Sequence, residues 1–128
     1  MAKLEKDATV YELPENLRWR DEFAAWEPVK QSRDRALDGS IVIQETPLQA
    51  GRPITLVGAW APRSQVLTLR GLAEDPGALT LTLEDGREFD VMWRRDSREP
   101  AVDAEPVIPA VVPEAGDLYT LTLRFITV

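Results

Sequence analysis

Apolar and polar residues alternate with a period of two over several stretches of this chain, the pattern of strands half-buried on a sheet. The terminal segment DLYTLTLRFITV is the clearest case: Tyr119, Leu121, Leu123 and Phe125 share one face, and Thr120, Thr122 and Arg124 share the other. A chain end patterned this way is expected to lie inside a sheet. In LTLTLEDGREFDVMW, residues 79–93, two alternating arms flank an acidic break. A two-residue Asp85-Gly86 loop would set Leu83 opposite Glu88 and Leu81 opposite Asp90, mixing leucines and carboxylates on one face. A three-residue loop of Glu84, Asp85 and Gly86 instead pairs Leu81 with Phe89 and Leu79 with Val91, while Thr82 meets Glu88 and Thr80 meets Asp90. That register requires a left-handed Gly86, because a Cβ there costs about 1 kcal/mol or more. The acids of EDGRE are accounted for by the turn.

Other elements follow from the same reasoning. Asp38-Gly39 divides WEPVKQSRDRALDGSIVIQETP into a polar arm from Val29 to Leu37 and an apolar arm from Ser40 to Thr46, a second hairpin signal. The polar arm is expected to face solvent or a partner. A turn at QAGRP leads into a strand from Ile54 to Trp60, and a brief strand is expected at Leu17 to Trp19. In APRSQVLTLRGLAEDPG, Val66, Leu69, Leu72 and Ala73 fall on one helical face, with Ser64 as N-cap and EDPG as stop, so this segment predicts a short helix. Pro100, Pro106, Pro109 and Pro113 make residues 100–113 extended, an edge strand or a surface loop and not a central strand. Residues 1–16 mix charges with Val10, Tyr11 and Leu13 and read as an N-terminal arm; residues 17–128 form a single β-rich domain. With six or seven strands and one helix, the expected fold is mainly β: an antiparallel β-sandwich or partly open barrel with one short helix.

Composition narrows the chemistry. The 128 residues include no cysteine and no histidine, which removes disulfides, thiolate and imidazole metal ligands, a cysteine nucleophile and every imidazole-based triad. With 22 acidic against 15 basic residues the net charge is −7, which disfavours nucleic acid and anionic membranes as partners. No apolar run has the length of a signal peptide core or a membrane span, so synthesis in the cytoplasm without a sorting address is expected.

Specific constellations are thin. Glu88 and Asp90 on one strand face start about 6–7 Å apart, within the range of glycosidase carboxylates, but a polar strand face beside Arg87 and Arg94 explains them. EDGREFD offers too few oxygens, in the wrong order, for a calcium loop. Gly51 and Gly58 in GRPITLVG lack the lysine and hydroxyl of a phosphate loop. Trp19, Trp26, Trp60 and Trp93 would form a sugar-stacking platform only if exposed together. Arg94, Arg95 and Arg98 are interrupted by Asp96 and Glu99, as in a solvated strand end or a salt-bridged subunit contact. No catalytic residue, metal ligand or cofactor is therefore assigned. Two apolar-tipped segments point to assembly, with Val10, Tyr11, Leu13, Val107, Ile108, Val111 and Val112 as candidate contacts.

The strings LRWRDEFAAWEPVKQS, LDGSIVIQE, AGRPITLVG, PRSQVLTLRGLA, LTLEDGREFDVMWRR and YTLTLRF resemble the small tail and baseplate proteins of long-tailed bacteriophages, siphophages or Mu-like transposable phages. The resemblance covers roughly residues 17–125, outside the first sixteen residues and the proline-rich segment. It implies a noncatalytic virion component near the tail tip, contacting copies of itself and other tail or baseplate proteins in a ring of three or six. The alternative from a different class is a carbohydrate-binding module for a host surface glycan.

Overall fold

The computed structural model describes residues 2–23, 26–48, 50–95, 98–109 and 111–128. Gln49 of the QAGRP turn, Asp96 of the arginine cluster and Ala110 of the proline-rich segment lie outside them. In chain order the elements are β1 (Lys3–Lys6), β2 (Thr9–Glu12), β3 (Arg18–Trp19), β4 (Val29–Arg35), β5 (Ile41–Pro47), β6 (Pro53–Pro62), α1 (Arg63–Ala73), β7 (Ala78–Thr82), β8 (Glu88–Trp93), β9 (Val102–Pro106) and β10 (Leu118–Thr127). The fold is mainly β, with antiparallel pairings, one helix and no closed barrel among the described residues, and it is sandwich-like.

β10 organises the main sheet, as its alternation predicts. One edge pairs with β6 along nearly its full length. The other edge is divided, Tyr119 to Leu123 pairing with β9 and Phe125 to Thr127 with β8. The sheet continues from β8 through β7 and β1 to β2, and on the far side from β6 to β3. Leu121, Leu123 and Phe125 pack with Ile54 and Leu56 of β6, Leu79 and Leu81 of β7, and Val91 and Trp93 of β8. The Trp93 and Phe125 rings stack at 4.6 Å and 26°.

The 79–93 hairpin has the predicted register, with Leu81 opposite Phe89, Leu79 opposite Val91, Thr82 opposite Glu88 and Thr80 opposite Asp90. Leu83 N–H donates to the Arg87 carbonyl at 2.9 Å, and Gly86 has φ 92°. The helix buries Val66, Leu69, Leu72 and Ala73, the four residues its spacing selects. Its start differs from expectation. Pro62 is the N-cap and Ser64 lies within the helix. The N–H groups of Arg63 and Ser64 are satisfied by the carbonyls of Asp117 and Ala115, so a distant loop replaces the side-chain cap.

Residues 2–13 do not form a separate arm but join the main sheet and its core. β1 pairs with β7, placing Leu4 opposite Leu81, and Ala2, Leu4 and Leu13 are core residues. Lys6 Nζ donates to the carbonyls of Asp75 and Pro76 at 3.1 Å each, fastening the hairpin to the turn after α1. Asp7 and Ala8 join β1 to β2 with φ of 50° and 66°. Two consecutive left-handed residues make a tight hairpin turn without the usual glycine, which is why the composition did not announce it. This hairpin and β9 raise the strand count above the expected six or seven.

Arg124, on the polar face of β10, is buried nevertheless. β8 and β9 part at this residue, and Glu99, Pro100 and Ala101, just before β9, meet it. Arg124 Nη1 donates to the Pro100 carbonyl at 2.8 Å, and its guanidinium pairs with Glu99 at 3.2 Å and Asp103 at 3.4 Å.

Candidate interaction surfaces

β4 and β5 form a two-stranded sheet of their own, and every residue of both strands is exposed. The Asp38-Gly39 signal locates its turn. Ala36 N–H donates to the Ser40 carbonyl at 2.7 Å, Gly39 has φ 89°, and Ser40 donates to Asp38 Oδ1 through its N–H at 2.9 Å and its hydroxyl at 2.6 Å. These bonds hold the Asp38 carboxyl below the usual carboxylate range, the Ser40 hydroxyl contributing most. The turn at Asp85 repeats the chemistry. The Arg87 N–H and, second, its guanidinium lower the Asp85 pKa, while Glu22 and then Asp85 raise that of Arg87.

Among the described residues neither strand of this ribbon packs substantially on another element. Cross-strand pairing puts Val29, Gln31, Arg33 and Arg35 on one face with Pro47, Glu45, Ile43 and Ile41. The other face carries Lys30, Ser32 and Asp34 opposite Thr46, Gln44 and Val42. Toward the tip, therefore, one face presents two arginines beside two isoleucines. Isolated two-stranded hairpins are marginal in water, and this ribbon leaves its β-branched Ile41, Val42 and Ile43 exposed.

The predicted assembly residues divide. Ile108, Val111 and Val112 are among the most exposed apolar residues described, at 78%, 100% and 80%, and Val107 and Val10 are exposed as well. Tyr11 packs against the core. Leu13 is 2% exposed and its N–H donates to the Ala2 carbonyl, so it is a core residue and not a contact surface.

The outer face of the β2-β1-β7-β8 region gathers charges that the sequence scatters. Register sets Glu12, Lys3, Thr82 and Glu88 in one cross-strand row and Val10, Glu5, Thr80 and Asp90 in the next. Four carboxylates and one ammonium thus share an exposed, threonine-lined face. Alternation identifies Thr80, Thr82, Glu88 and Asp90 as polar strand positions, but Lys3, Glu5 and Glu12 fall in the segment read as an arm, and the β1–β7 pairing brings them onto this face. Glu88 and Asp90 lie open on this face and not in a cleft. Among the described residues no group of three acidic side chains is arranged to hold a metal ion.

The four tryptophans do not share a platform. Trp93 is buried in the core and Trp60 is exposed on β6. Trp19 is enclosed by the Arg52 guanidinium at 4.4 Å, that of Arg87 at 5.4 Å and the edge of Phe89 at 5.5 Å. Arg52 also lies 5.4 Å from the Trp26 ring. The Trp19 indole N–H donates to Asp21, whose carboxylate also accepts the Thr55 N–H and hydroxyl, each at 2.9 Å. This cluster ties the turn after β3 to β6. Trp19 lies in the brief strand that the sequence predicts, but the roles of Asp21 and Arg52 carry no local signal, because Thr55 and Trp19, which they engage, lie far along the chain. Compared with family models, with curated proteins and with solved structures, the chain matches none.

Proposed function

We propose that this chain is a noncatalytic structural subunit that assembles with copies of itself into a symmetric ring, of the kind found in the tail or baseplate of long-tailed bacteriophages. The observation that carries the reading is the β4–β5 ribbon, which stands away from a well-packed body with both faces uncovered. The exposed Ile108, Val111 and Val112 give a second apolar surface. Neighbouring subunits would remove both from water and supply the packing the ribbon lacks within its own chain. The distal tail, with three or six copies per ring, is the position the sequence resemblance favours, and the virion is then where the chain resides.

The distribution of tryptophans weighs against glycan binding. Stacking on a sugar needs an open aromatic face, and Trp19 is flanked by guanidinium groups while Trp93 is interior. Native mass spectrometry with negative-stain microscopy tests the proposal. Closed rings of one stoichiometry are expected, together with the chain's peptides in purified tails. A monomer at all concentrations up to about 1 mM, or glycan binding lost with Trp60→Ala, overturns it.

A further inference from the structure

The two exposed faces described above match in charge and in spacing. Arg33 and Arg35 are two residues apart on one ribbon face, flanked by Ile43 and Ile41. Glu88 and Asp90 are two residues apart on the outer sheet face, flanked by Thr82 and Thr80, with Glu5, Glu12 and Val10 beyond. Both pairs therefore repeat at about 6.5–7 Å, the distance between alternate residues of a strand. The ribbon strands 29–47 carry Lys30, Arg33, Arg35, Asp34, Asp38 and Glu45, which sum to zero, so the whole net charge of −7 resides elsewhere in the chain. The acidic sheet face holds part of it, with Lys3 its one cation.

We infer that the β4–β5 ribbon of one copy lies across the β2-β1-β7-β8 face of a second copy, Arg33 and Arg35 meeting Glu88 and Asp90 while Ile41 and Ile43 cover the threonine rows. The contact names the self-association surface of the proposed assembly and rests on that reading. It is heterologous: the ribbon is given and the sheet is received, so each copy uses both surfaces and the arrangement propagates to a ring or a filament. Seven residues span about 23 Å and two paired strands about 10 Å, so the contact buries on the order of 500 Å² in total. That is below the roughly 1,200 Å² of a stable pair, so association is concentration-dependent and gains from closure. Its ionic part weakens as salt rises.

Sedimentation velocity on the full chain tests this. The Arg33→Glu/Arg35→Glu and Glu88→Lys/Asp90→Lys variants are each expected to weaken self-association on the order of a hundredfold. Mixing the two variants restores both contacts between unlike copies, the unaltered ribbon on the unaltered sheet and the reversed ribbon on the reversed sheet, so the two co-assemble in alternation, and the chain with all four changes recovers the wild-type oligomer. All the altered side chains are exposed, and far-UV circular dichroism verifies each fold. If wild type assembles and both charge-reversed variants assemble equally well, this contact is wrong while self-assembly stands on another surface. Failure of the folded fourfold variant to recover association also overturns the pairing. A wild-type chain monomeric at about 1 mM removes both the contact and the ring.

Discussion

Replacing Gly58 with alanine tests how the main sheet is bent. Between Leu121 and Thr122 the β10–β6 register shifts, Leu121 facing Ala59 and Thr122 facing Val57, so Gly58 is the extra residue of a bulge. Its φ is 93°, a conformation that raises the energy of any L side chain by about 1–2 kcal/mol. A Cβ would also lie 3.1 Å from Arg18 Nε and 3.2 Å from its Nη2. Arg18 is exposed and its guanidinium can swing aside, so this contact adds only a few tenths of a kcal/mol. The expected loss is about 1–2 kcal/mol, equivalent to a fall in Tm of about 4–7 °C for a chain of this length. Urea denaturation of Gly58→Ala, Gly86→Ala and Arg18→Ala/Gly58→Ala separates the contributions. Gly86 has φ 92°, and a Cβ added to it would meet nothing within 4 Å, so it reports backbone strain alone. Gly71, helical and equally open, should instead stabilise by about 0.5–1 kcal/mol when changed to alanine. A Gly58→Ala variant within about 0.3 kcal/mol of wild type, on the order of ordinary surface changes, refutes the assignment of strain to the bulge.

Leu13→Ala should destabilise the fold by about 2–4 kcal/mol in denaturant melts, whereas Val10→Ser should change stability by less than about 0.5 kcal/mol, because only Leu13 is interior. Ala8→Gly relieves a left-handed alanine and should stabilise by about 0.5–1 kcal/mol; loss of stability instead would mean that the β1–β2 turn does not hold that geometry. Asp38 and Asp85 have folded pKa values below their ordinary 3.8, so their turn contributions are complete above that value and disappear as pH falls through the lower folded values. Carboxyl carbon NMR titration should place both midpoints below 3.8, the ordinary value, with Ser40→Ala returning that of Asp38 toward it.

The sequence by itself determined the local pieces. Alternation marked β10 and the β7–β8 arms, the Glu84-Asp85-Gly86 turn set their register, and the 3.6 period chose the four buried residues of α1. These are properties of neighbouring residues, and pleat, helix pitch and left-handed glycine act over that range. Only the tertiary structure decided the rest. Leu13 became core because β1 found β7, and Arg124 became buried because β8 and β9 diverge above it. Ile41 and Ile43 stayed exposed because no third strand joins β4 and β5 among the described residues, although their pattern would equally suit a covered sheet. Glu5, Glu12, Glu88 and Asp90 became one acidic face through pairings that span up to 79 residues of chain, from Lys3 to Thr82. Burial and surface charge depend on which distant strands meet, and alternation along one strand specifies two faces without specifying what covers either.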